Sequence, residues 1–243
     1  MAGIVVIFDF DKTIIDIDSD NWVIDGLGGT ALFERLLTTM PWNSAMDAVM
    51  KEFHSQGKTI EDIVAILKQV PIHPRVVPAI KAAHSLGCEL RIEGKLRILP
   101  YVDFLKAPHG CSNVCPPNMC KGMIIERIQS SLEKNEKIIY LGDGAGDYCP
   151  MLKLGPENFV MPRKNFPVWS LISENRDLVK AKIHEWTDGQ ELEQILLGLI
   201  ASISEEEKRS ISSAQLFSSD CGFQTIAAMH GHEALPRALP VRH

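Results

Sequence analysis

Residues 4–13 read Ile4-Val5-Val6-Ile7-Phe8-Asp9-Phe10-Asp11-Lys12-Thr13. An apolar, mostly β-branched run stops on two carboxylates one residue apart. Such a short continuous run, lacking polar alternation, predicts a parallel strand buried on both faces, with its carboxyl end at Asp9. Burying negative charge there costs free energy unless a cation or hydrogen-bond donors compensate. The stretch therefore poses a choice between a solvated turn and a site for something positive.

Residues 137–147, KIIYLGDGAGD, repeat the arrangement. Lys137 to Leu141 predict a second strand, and Gly142 opens a turn in which glycines let the backbone bend sharply and approach a ligand. Asp143 and Asp147 emerge there. Four acids at two neighbouring strand ends repel one another unless a cation sits among them. Mg²⁺ suits such a set, because it is a hard ion that takes carboxylate oxygens together with substrate phosphate. Two unrelated solvated turns are the plainer alternative; both motifs falling at predicted strand ends favours one shared metal site.

Working outward, the apolar spacing predicts helices over about 43–57, 59–70 and 74–87, a strand at Cys88 to Ile92, a helix at Lys121 to Lys134 and a short strand at Phe159 to Met161. Thr187 and Gln190 predict a capping box for a helix carrying Leu192, Ile195, Leu196 and Leu199. Strands alternating with helices imply an α/β fold built on a doubly wound parallel sheet, in which ligands bind beyond the carboxyl ends of the strands. The expected organisation is a core of residues 1–16 and 71–200, a small helical insert at 17–70, and a serine-rich, weakly ordered tail at 202–243.

The 243 residues are 45% hydrophobic and 23% charged, enough for one large domain or a core with an insert. The net charge of -6, with no basic run, gives no hint of a nucleic-acid surface, and no nucleic-acid partner is expected. No apolar stretch approaches the ~20 residues that span a bilayer, and Asp9 interrupts the first run before it could act as a signal peptide. A cytoplasmic protein with reduced cysteines is expected. Oligomeric state is not readable. Cys111, Cys115 and Cys120, preceded by His109, could bind zinc, but their spacings are not those of a common zinc knuckle. They read as a reduced loop, with Cys149 simply packing.

DFDKT followed by GDGAGD resembles motifs I and IV of the haloacid dehalogenase (HAD) superfamily of phosphatases. The wider segments IFDFDKTIIDIDSDNWV, HGCSNVCPPNMCKG, IIYLGDGAGDYCP and VMPRKNFPVW are similar to its phosphoethanolamine/phosphocholine phosphatase subfamily, whose plant members are described as pyrophosphate-specific or thiamine phosphate phosphatase-like. The likeness covers residues 3–200. It implies a Mg²⁺-dependent hydrolase of a small phosphorylated metabolite, either a phosphomonoester or pyrophosphate. Asp9 would be the nucleophile and Asp11 the general acid and base. Asp9, Asp143 and the backbone carbonyl of Asp11 would hold the metal, with Asp147 orienting the site behind them. Lys121 matches the motif III lysine. Asp20 corresponds to a position that contacts the substrate's amine or choline head, and the helical insert to a cap over the site.

The likeness breaks at motif II, where the family places a Ser or Thr just after the second strand. Here the strand runs into Glu93-Gly94-Lys95-Leu96, and no Ser or Thr occurs between Ser85 and Ser112. A helix, a turn and a further strand are absent too, as a skipped exon or variant gene model would leave it. Losing a preorganised donor to developing charge lowers rates on the order of 10²–10³-fold. An impaired enzyme is expected; a non-catalytic relative that binds phosphate compounds is the alternative.

Overall fold

The computed structural model describes residues 3–91, 109–133 and 135–219. The opening run forms strand β1 (Ile4–Phe8), and its neighbours follow from the same apolar logic: β2 (Glu89–Arg91), β3 (Lys137–Gly142), β4 (Phe159–Pro162) and β5 (Lys182–Ile183). All pairings are parallel, in the order β2-β1-β3-β4-β5. In the register, Val6 lies beside Leu90 on one side and Ile139 on the other.

Because strand side chains alternate between faces, β1 and β3 feed two separate cores. Ile4, Val6, Ile139 and Leu141 pack with Ala79 and Ala83 of α5 (Val76–Ser85) and with Leu192 and Leu196 of α9 (Gly189–Ser219). Val5, Ile7, Ile138 and Tyr140 pack on the opposite face with Ile125 of α6 (Lys121–Ser131), Met151 of α7 (Tyr148–Leu152) and Ile172 of α8 (Pro167–Glu174). Helices thus cover both faces, and the fold is the HAD-like, doubly wound α/β architecture that the strand runs imply.

Between β1 and α5 lie four helices: α1 (Ser19–Gly26), α2 (Thr30–Leu37), α3 (Trp42–Ser55) and α4 (Ile60–Leu67). They have a core of their own, built from Ile24, Phe33, Ala45, Val49 and Phe53. Thr59 caps α4, its backbone N–H donating to Asp62 Oδ2 at 2.8 Å.

Two expectations at the far end are corrected. The cap of α9 is not a Thr187–Gln190 box: Thr187 donates to Glu191, and the Asp188 carboxylate accepts from the N–H groups of Gln190 and Glu191. The tail expected from residue 202 is helical through Ser219. Its apolar spacing fades, but Glu205 to Arg209 are good helix formers, with Arg209 pairing to Glu205 one turn back. The chain divides into compact units Met1–Ser204 and Glu205–His243, and the described part of the second, through Ser219, is helix. Among the described residues no helix is long and apolar enough to cross a membrane. The motif II stretch, Glu93 to Leu96, lies outside the described residues.

Candidate active site

β1 has β2 on one side and β3 on the other, so the chain changes winding direction there and leaves a crevice at the strand ends. Asp9 N–H donates to Leu141 O at 2.9 Å, carrying the ladder one step past β1 and setting Asp9 beside the end of β3. Gly142 then allows the turn to fold back. A Cβ on it would lie 2.4 Å from Asp147 Cγ, so no other residue fits without displacement. A single turn of 3-10 helix, Ala145–Asp147, returns Asp147 beneath the loop.

Asp147 is fully buried and has no spare acceptor capacity. Its Oδ1 accepts from Lys121 Nζ at 2.8 Å and Tyr140 OH at 2.7 Å. Its Oδ2 accepts from the N–H groups of Asp143 at 3.1 Å and Gly144 at 2.9 Å. Lys121 opens α6, and its ammonium also pairs with Asp9 Oδ1 at 2.7 Å. One lysine therefore bridges motif I and motif IV.

The carboxylates of Asp9, Asp143 and Asp147 offer oxygens within 4.8 Å of one another. Burial, then the Asp147 charge, push Asp9 up to about 6 despite the opposing Lys121 ammonium. Burial followed by Asp147 and Asp9 push Asp143 up to about 7. Burial alone would lower the Lys121 pKa, but Asp147 and Asp9 together raise it. Lys121 thus leaves uncompensated negative charge in the crevice. A hard divalent cation fits that deficit and the all-oxygen donor set.

The Asp11 side chain belongs to a different group. Its carboxylate gathers with those of Asp18 and Asp20 within 4.8 Å, away from the three just described. Ser19 hydrogen-bonds it through side chain and backbone, yet burial dominates and its pKa rises. Asp11 Oδ1 is buried without a hydrogen-bond partner. Asp20, in the first turn of α1, is pushed up to about 6 by burial and then by Asp11 and Asp18. Asp18 caps α1 through the Asn21 N–H. The loop joining the two carboxylate groups is held in shape: Lys12 has φ 51°, and Arg163 donates to Lys12 O and pairs with Asp16 at 2.8 Å.

The structure therefore brings Asp9, Lys121, Asp143 and Asp147 together, and sets the side chains of Asp11 and Asp20 with each other. Sequence reasoning missed Tyr140 and Arg163. Tyr140 reads as an ordinary strand residue in KIIYL. Arg163 carries no signal except its place just after β4, another strand end.

Acidic loops at two adjacent carboxyl ends of this parallel sheet are the arrangement of a HAD-like hydrolase acting on phosphate compounds. The model of the family described as "Putative Phosphatase" matches residues 4–93 and 92–200, and the chain belongs to that family. It is 56% identical to inorganic pyrophosphatase 1 of Arabidopsis thaliana, over 96% of this chain and 92% of that protein. The thiamine phosphate phosphatase-like protein of the same plant is 42% identical over 85% of this chain and 99% of its own. The human phosphoethanolamine/phosphocholine phosphatase is 32% identical over 69% and 76%.

Proposed function

We propose that the chain is a Mg²⁺-dependent hydrolase of a small phosphomonoester or pyrophosphate, working through an aspartyl-phosphate on Asp9 and impaired by the loss of motif II. The observation that carries the reading is the Lys121 bridge between Asp9 and Asp147 at the paired strand ends. A carboxylate oxygen of Asp9 attacks phosphorus, and the bond to the leaving oxygen breaks. Asp11, whose carboxyl is pushed above its ordinary range by burial, donates a proton to that oxygen. Deprotonated Asp11 then takes a proton from water, whose oxygen displaces Asp9 and releases inorganic phosphate. Mg²⁺, held by Asp9, Asp143 and the Asp11 backbone carbonyl, would screen the repulsion between carboxylate and phosphate. Asp147 keeps Lys121 and the Asp143 backbone in place. Lys121 offers its ammonium to phosphoryl oxygens.

The helices Ser19–Leu67 would act as the cap, with Asp20 contacting the leaving group. The substrate is a small phosphorylated metabolite of the kinds named for the relatives. Two features support the missing segment. The family model matches in two pieces that meet at residues 92–93. The alignment with the Arabidopsis pyrophosphatase runs over 276 positions, more than the 243 residues of this chain. The same gap favours the second reading, a phosphate-binding relative without turnover.

A panel of phosphomonoesters and pyrophosphate with Mg²⁺ tests both. Turnover that vanishes in Asp9→Asn, with beryllofluoride forming an adduct on the unsubstituted chain, supports the enzyme; phosphate binding without turnover supports the binder. A chain with the motif II segment restored from a relative should be faster by about 10²-fold or more. Equal rates would refute the impairment.

A further inference from the structure

In a group separate from the carboxylates, four cysteines converge. Cys111 and Cys115 lie before α6, Cys120 is its N-terminal cap residue, and Cys149 comes from α7. Their sulfurs all lie within 4.8 Å of one another. Cys115 Sγ is 3.6 Å from Cys111 Sγ and 3.7 Å from Cys120 Sγ. Cys149 Sγ is 3.7 Å from Cys111 Sγ and 3.8 Å from Cys120 Sγ. All four are free cysteines, and these separations are far beyond the ~2.05 Å of a disulfide.

Four thiolate sulfurs around an ion at about 2.3 Å form a tetrahedron with edges of about 3.8 Å. The four measured edges match that length. Neutral thiols are weak hydrogen-bond partners and give little reason for four to meet. The surroundings are shaped for the sulfurs. Gly122 lets the first turn of α6 approach, since a Cβ there would lie 2.4 Å from Cys149 Sγ. Asn113 Nδ2 donates to Cys149 Sγ at 3.3 Å. Both His109 ring nitrogens are engaged by backbone, with the Cys111 N–H at 3.1 Å and Pro116 O at 2.9 Å, so His109 orders the loop without joining the cluster.

We propose that Cys111, Cys115, Cys120 and Cys149 hold a structural zinc ion with no open coordination position. Each thiol gives its proton to solvent as the ion binds. An all-sulfur tetrahedron suits borderline-soft Zn²⁺ and not the hard Mg²⁺ of the carboxylate crevice. The ion ties two distant segments together beside the active groups: Cys120 directly precedes Lys121, and Cys149 lies two residues beyond Asp147. Zinc thereby fixes the distance between α6 and the motif IV loop. The inference does not depend on the phosphatase reading.

The test measures metal in the full chain purified under reducing conditions. About one zinc per chain is expected, retained in Asp9→Asn and lost in Cys115→Ser and Cys149→Ser. Replacing zinc with Co²⁺ should give intense thiolate-to-metal charge-transfer bands and tetrahedral d–d bands. Should the serine variants fail to fold, the Co²⁺ spectrum of the unsubstituted chain decides alone. A folded, reduced chain that takes up neither metal with these bands overturns the proposal. Zinc kept by the serine variants, or lost in Asp9→Asn, overturns it too.

Discussion

Asp147→Asn removes one charge and one acceptor from a side chain whose two oxygens each accept from two donors. An asparagine supplies one oxygen. If that oxygen faces the backbone, its amide NH₂ meets the Lys121 ammonium and the Tyr140 hydroxyl; if flipped, the NH₂ meets the N–H groups of Asp143 and Gly144. Either way two buried donors lose their acceptor, at about 1–3 kcal/mol each, so the loss is on the order of 2–6 kcal/mol. That is large against the ~5–15 kcal/mol that holds a typical domain folded. A smaller effect opposes it, because the Asp147 charge is what burial works with to raise Asp9 and Asp143. Its removal relieves their repulsion, but the unsatisfied donors win. Urea denaturation followed by circular dichroism should show a midpoint lower by more than about 1 M. The acidic limb of the pH–rate profile should move to lower pH. Tyr140→Phe deletes one donor and leaves the other three contacts, so it should cost only about 1 kcal/mol. An Asp147→Asn chain within about 0.5 kcal/mol of the parent, or an acidic limb moved upward, would refute the reasoning; ordinary surface substitutions fall in that range.

Other outcomes follow from the same geometry. Asp9 and Asp143 have folded pKa values raised to about 6 and 7, so the stability they lend is present below about pH 4 and lost as pH rises through those values. Each shift corresponds to about 3–4 kcal/mol, and a bound cation reverses it. Added Mg²⁺ should therefore raise Tm clearly at pH 8 and little at pH 5; equal rises at both would count against carboxylate binding. Lys121→Met should leave Asp147 without its cation, losing on the order of 3 kcal/mol, and should move the acidic limb to higher pH because Lys121 holds Asp9 down. An unmoved limb would deny the pairing. Gly142→Ala places a Cβ against Asp147 and should lower both Tm and turnover, measured on the same preparation; unchanged values would mean the loop has room the structure does not show.

The fold was largely legible because its central strands are buried on both faces. Ile4 to Phe8 and Ile138 to Leu141 are continuous apolar runs, each followed closely by acids, so both the sheet and its functional edge could be read locally. The helix past Ile203 was not, since an amphipathic pattern signals burial while residues 205–209 hold a helix through propensity and charge pairs.

By itself the sequence determined the family, the parallel sheet, and the convergence of motifs I and IV, because these depend on runs of neighbouring residues. Only the tertiary structure decided which oxygens face which cation. It turned the Asp11 side chain toward Asp18 and Asp20, and consumed both Asp147 oxygens on Lys121, Tyr140 and two backbone N–H groups. It also carried Cys149 to three thiols that, by spacing alone, formed no metal signature. The reason is physical: hydrogen-bond direction and sulfur–sulfur distance depend on how segments far apart in the chain are packed, and no local pattern encodes that.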